Sequence, residues 1–173
     1  PSDVIEVSSV PQPSGVTLSL EGDTDYVPLM RENLAVRAAE AIMVSAGRSG
    51  HGVKMLLRKK IPAGAGLGGG SADAAAAMHA VRRLLELEIT DEEILSVALS
   101  IGSDVPFCFS GGSAWMRGRG ELLEPVSLAP DLPLLVVIPP FRLSTPKVFA
   151  AWDSLGINKS SRKIPAPDPI SMV

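Results

Sequence analysis

Apolar and polar positions alternate along Val4-Ile5-Glu6-Val7 and Val16-Thr17-Leu18-Ser19-Leu20, the period of two that predicts half-buried strands. Pro11-Gln12-Pro13-Ser14-Gly15 between them is turn material. After Asn33 the period lengthens. Apolar residues recur at helical spacing from Leu34 to Ile42, with neither Gly nor Pro before Gly47. The stretch from Gly47 to Gly52 predicts a loop, and Val53 to Leu57 a strand that reaches a basic end at Arg58-Lys59-Lys60. Ser71 then opens an Ala-rich run, Ala72 to Leu87, small on nearly every face, which predicts a helix packed close to a neighbour.

Thr90 and Glu93 have capping-box spacing and start a helix to about Ser100, broken by Gly102-Ser103-Asp104-Val105-Pro106. Phe107–Phe109, Ala114–Arg117 and Leu134–Ile138 read as short strands. Thr145 as cap with Pro146 behind it predicts a helix through Trp152. From Asn158 the chain holds three prolines and no period, which predicts a linker or disordered end. There is no internal repeat. This mixed order of elements fits an α+β fold better than strict βαβ alternation.

Composition narrows the picture. The 173 residues make about one domain, and 46% hydrophobic with 20% charged residues excludes disorder for the bulk. The formal charge of −3 gives no general attraction to nucleic acid or anionic membrane. One cysteine, Cys108, cannot form an internal disulfide, which favours a reducing, cytoplasmic setting; it is expected to be a buried small residue. No apolar run approaches the ~18 residues of a membrane span. The start, Pro1-Ser2-Asp3, lacks Met and any leader-like pattern, as expected of a chain that begins inside a longer protein. The 16 glycines and 15 prolines exceed average usage, and the excess concentrates between Gly64 and Gly70.

That cluster, Pro62-Ala63-Gly64-Ala65-Gly66-Leu67-Gly68-Gly69-Gly70-Ser71, carries the most information. Glycines accept positive φ and let a ligand approach the backbone. Successive N–H groups ahead of a helix converge on an anion, so the segment predicts a phosphate cradle; the alternative is a flexible turn. No lysine precedes Ser71 as a Walker A loop requires. Gly64, Gly66 and Gly69 spell G-x-G-x-x-G, but a second helix follows where a dinucleotide fold needs a strand.

Extended to Ala72, the segment resembles the second signature of the GHMP small-molecule kinases. Further stretches resemble the branch that phosphorylates a diphosphocytidyl polyol in the non-mevalonate isoprenoid route. They are Glu32-Asn33-Leu34-Ala35-Val36-Arg37-Ala38-Ala39, Gly102-Ser103-Asp104-Val105-Pro106-Phe107, Gly118-Arg119-Gly120-Glu121 and Ser144-Thr145-Pro146-Lys147-Val148-Phe149. The resemblance spans roughly residues 4 to 155. It implies a two-layer fold with a mixed sheet, in which residues 1–139 are part of a nucleotide-binding N-terminal domain. Residues 140–173 would open a C-terminal domain and end in a flexible tail. It also implies ATP and Mg²⁺ as cofactors and a small cytidyl polyol as substrate.

Read alone, Asp104 is a turn-former or cap; the resemblance makes it the catalytic aspartate, which accepts the acceptor hydroxyl's proton or orients that hydroxyl toward the γ-phosphate. Ser71 is a plain N-cap or a ligand of a phosphate oxygen or its magnesium. Lys59 reads as a solvated strand end, yet with Asn33 it resembles positions near the family's adenine pocket. Asp73 suits a first helical turn on dipole grounds and by resemblance approaches the nucleotide. Thr145 and Phe149 lie one turn apart, a cap and a core ring on their own evidence. By resemblance Thr145 would touch the substrate and Phe149 stack on its cytosine. His51 and His79 suggest no metal site. The family's first signature, with its lysine, would precede Val4, and its third would follow Val173. Another GHMP kinase of mevalonate or homoserine type, and a non-catalytic nucleotide-binding module, are the rival readings.

Overall fold

A computed structural model describes residues 1–11, 14–127, 133, 135–138 and 144–155. Strands β1 (Val4–Val10), β2 (Gly15–Gly22) and β3 (Gly52–Lys59) form a mixed sheet of order β1-β3-β2. β1 runs antiparallel to β3, with Val4 opposite Arg58, and β2 runs parallel to it, with Val16 opposite Val53. The period of two works as expected. Val53, Met55 and Leu57 of β3 are fully buried, while Lys54 between them is exposed. On the open face Arg58 bridges the outer strands through ion pairs to Glu6 and to Glu21.

Helices α1 (Leu34–Ser45) and α2 (Gly69–Leu84) pack on each other and on the sheet, α1 against β2 and α2 against β1. Ala35, Ala38 and Ala39 on α1 and Ala74, Ala75 and Ala77 on α2 are at most 2% exposed in one core with Ile42, Met78 and Val81. Small side chains allow two helix backbones this approach. Ala38→Leu is therefore expected to overpack the core by about 1–3 kcal/mol. Thermal unfolding checks it, at roughly 2–4 °C per kcal/mol for a domain of this size.

α3 (Asp91–Ile101) starts in the anticipated capping box: the Thr90 hydroxyl accepts from Glu93 N–H and the Glu93 carboxylate accepts from Thr90 N–H. α4 (Val105–Ser110) packs on α2 and α3. It replaces the strand expected over Phe107–Phe109, because Pro106 sits in the first turn, where its missing N–H costs nothing; Asp104 stands at the N-cap position without a side-chain capping hydrogen bond. Strand β4 (Ala114–Arg117) was legible, whereas its partner β5 (Leu122–Pro125) was not. Residues 135–138 form no strand, with Leu135 91% exposed. Leu134 lies outside the described residues.

Two helix starts also move. α2 begins at Gly69 rather than Ser71, with Gly68 as N-cap, and it ends at Leu84 rather than Leu87, since Glu86 takes φ +48°. α5 (Thr145–Ser154) is capped by Ser144, not Thr145. The fold is the expected α+β arrangement of a mixed sheet with helices layered on it and a glycine-rich segment leading into α2. The expected tail from Asn158 lies outside the described residues.

Candidate active site

The C-terminal end of β3 runs into the glycine segment, and the segment runs into α2. Gly64, Gly66 and Gly68 take φ of +72°, +73° and +68°, a region that costs other residues about 1–2 kcal/mol. A Cβ at any of the three would meet nothing within 4 Å. The bare backbone thus faces open space at the N-terminus of a 16-residue helix, where unpaired N–H groups and the helix dipole favour an anion.

That space is a cavity of about 550 Å³ lined by every residue from Pro62 to Ser71, together with Asn33, Lys59, Asp73 and Asp104. Long-range folding thus gathers most of the sequence candidates around one cavity. Ala72, which is exposed, and Phe149 on α5 are outside the lining. Tyr26, Val27, Pro28, Glu32 and Leu34 complete the wall, and composition had not marked Tyr26-Val27-Pro28. Tyr26 is 80% exposed and carries φ +63°, unusual for a bulky residue.

Each polar wall residue has a definite task. Asn33 is the N-cap of α1: its side-chain oxygen accepts from Ala35 N–H at 2.9 Å and its amide donates to the Pro28 carbonyl at 2.9 Å. Its side chain therefore ties the 26–28 loop to α1. Asp104 is exposed into the cavity and makes no capping hydrogen bond with its side chain. The turn after β4 presses against its neighbour: a Cβ on Gly120, at φ +117°, would lie 2.0 Å from the Ser103 carbonyl oxygen. Only glycine permits that approach.

Lys59 is not a solvated strand end. It is 4% exposed and donates to Asp3 and, at 2.7 Å, to Asp73 Oδ2. The signal was available in the parity of β3, where Lys59 continues the inward row Val53, Met55, Leu57. Burial alone would lower the Lys59 ammonium, but its hydrogen bonds to Asp3 and Asp73 outweigh that and hold it raised. Burial pushes the Asp73 carboxyl up to about 6, against the pull of Lys59. Because 6 lies above the ordinary carboxylate value, the neutral form favours the fold. This contribution is complete below pH about 4 and is lost as pH rises through 6. Asp73→Asn is expected to hold it at every pH, so the variant gains on the wild type as pH rises through 6. Melting curves at pH 4.5 and 7.5 check this: the variant's advantage appears at the higher pH alone.

Cys108 is half-buried rather than buried, and burial followed by the charge of Asp104 pushes its thiol up, so it is no thiolate nucleophile. His79 stacks on Phe109 with centroids 4.0 Å apart. Phe149 is 65% exposed on α5 and is not in the cavity lining; the side chain of Thr145 lies outside the described residues.

Residues 33–112, which hold α1, β3, the glycine segment and α2 to α4, match the GHMP kinases N terminal domain. A 4-diphosphocytidyl-2-C-methyl-D-erythritol kinase of Syntrophomonas wolfei is 39% identical over 87% of this chain and 52% of its own. Residues 33–112 belong to the GHMP kinase family. A second relative with that kinase name, from Polaromonas sp., is 48% identical over 72% of this chain and 40% of its own. A crystal structure of 4-(cytidine 5'-diphospho)-2C-methyl-D-erythritol kinase superposes with a TM-score of 0.67 at 40% identity, covering 86% of this chain and half of that one. Homoserine kinase from Cytophaga hutchinsonii shares the GHMP fold, with a TM-score of 0.62 at 20% identity. The chain spans about half the length of the curated relatives it matches.

Proposed function

We propose that this chain carries the nucleotide-binding part of an ATP-dependent kinase that phosphorylates a hydroxyl of 4-diphosphocytidyl-2-C-methyl-D-erythritol. One observation carries the reading: a glycine cradle at a helix N-terminus and an uncapped carboxylate, Asp104, line one cavity. The names of the relatives support this substrate over others of the superfamily.

In this reading the backbone amides from Gly64 to Ser71 hold the β- and γ-phosphates, and the α2 N-terminus stabilises charge as it spreads during transfer. Asp104 accepts a hydrogen bond from the acceptor hydroxyl, orients the oxygen in line with the γ-phosphorus and takes its proton as the new P–O bond forms and the bond from the γ-phosphorus to the bridging oxygen breaks, with ADP as leaving group. Asn33, Lys59 and Asp73 shape the end of the cavity that takes the base. Among the described residues no three His, Cys, Asp or Glu side chains converge on a metal site. That fits Mg²⁺, which typically arrives on phosphates and keeps several waters; Ser71 Oγ is the protein oxygen we assign to it. Thr145 would contact the substrate and Phe149 would stack on its cytosine. We place the enzyme in the cytoplasm.

The test is ADP release by the full-length protein with the cytidyl polyol, mevalonate or homoserine as acceptor. Turnover with the cytidyl polyol alone is expected. Turnover with either of the others reassigns the substrate, and ATP binding without transfer to any acceptor reduces the chain to a nucleotide-binding module.

A further inference from the structure

We propose that Asp3 is a positioning residue for this site, holding the Lys59 ammonium and the backbone entrance of the glycine segment as one unit. The idea rests on the nucleotide reading above. Asp3 precedes Val4 and shares the parity of Ile5 and Val7, the half-buried positions of β1. With Val4 opposite Arg58 in register, the strand pairing brings Asp3 beside Lys59.

Both carboxylate oxygens are engaged. Oδ2 accepts from Lys59 Nζ, and Oδ1 accepts from Lys60 N–H at 2.6 Å and Ile61 N–H at 2.9 Å. Those two amides belong to the last residues before Pro62, where the cavity wall begins. One side chain thereby fixes the direction in which the chain leaves β3 and the position of the cation at its end. The side chains of Lys59, Asp3 and Asp73 are only 3%, 5% and 7% exposed.

Stability does not explain the arrangement. Buried ion pairs are weak stabilisers against an apolar replacement, and two carboxylates around one ammonium leave a net negative charge. A leucine or methionine at position 59 would extend the row Val53, Met55, Leu57. What the ions supply is placement. An ammonium has three donors; Asp3 and Asp73 take two, which leaves one for an acceptor on a ligand in the cavity that Lys59 lines.

The test uses the full-length protein. Asp3→Asn keeps the size and one acceptor but removes the charge. The KM for ATP is expected to rise about tenfold, the scale of one charge-assisted hydrogen bond, with kcat within about twofold. If Asp3 acts through Lys59, Asp3→Asn adds nothing to the KM of Lys59→Met; independent losses would instead multiply. Asp3→Ser, which retains a hydroxyl acceptor for the two amides, serves if Asp3→Asn does not fold. Amide exchange in the nucleotide-free protein gives a readout that needs no kinase activity. Selective loss of protection at Lys60 and Ile61 in Asp3→Ala supports the proposal even in a protein that transfers no phosphoryl group. An unchanged KM in Asp3→Asn, multiplicative losses, or unchanged protection at the two amides overturns it.

Discussion

Asp104→Ala in the full-length protein is expected to lower kcat by about 10²–10⁴-fold, the range for loss of a general base, while ATP affinity stays within about twofold. The separation follows from where Asp104 stands. It lines the cavity beyond the glycine segment and is exposed, with no capping hydrogen bond to lose. The fold therefore gives up little, and a melting temperature within a few degrees of wild type accompanies the loss of turnover. Asp104→Asn sharpens the test: it keeps the shape and removes the basicity, so it should be nearly as slow. Calorimetric ATP titration beside ADP release reads both quantities. Turnover at the wild-type rate in either variant would remove Asp104 from the chemistry.

Gly68→Val should produce the opposite pattern: ATP affinity falls by about 100-fold, the loss of one or two hydrogen bonds to a charged group, before any effect on the chemical step. Gly68 caps α2 at φ +68°, and its absent Cβ faces open space. A side chain there strains the backbone and fills the volume a phosphate would occupy, while its Cβ meets no protein atom within 4 Å. Gly69→Ala is the control. Its Cβ would lie 2.9 Å from Ile61 Cγ2, so it should lower the melting temperature first. If Gly68→Val binds ATP normally, the cradle is not where the polyphosphate sits.

The second prediction starts from a segment that stands out in the bare sequence, and the rest of the site, Asp104 included, shows where such reading stops. Alternation located β1 and β2, an apolar run between a loop and a basic end located β3, helical spacing located α1, an Ala-rich run located α2, and the Thr90–Glu93 box located the start of α3. Each depends on residues within a turn or two of one another. Phe107–Phe109 has no period of its own, as an apolar triplet cannot, and α4 exists through its Pro106 start and its packing on α2 and α3. β5 escaped for a similar reason: Leu122–Pro125 has little alternation and is a strand by virtue of pairing with β4. The charge of Lys59 points outward, whereas its parity in β3 points inward, and the parity prevails.

The glycine cradle is a local property, since freedom in φ and a density of bare amides belong to the residues themselves and survive any tertiary context. Partnership is different. Asp3 meets Lys59 across 56 positions, and Asp104 reaches the cradle's cavity from beyond α3. Such distances close only when strand register and helix packing are set by the whole core, where burial decides which charges must pair and which carboxylate remains open to a ligand.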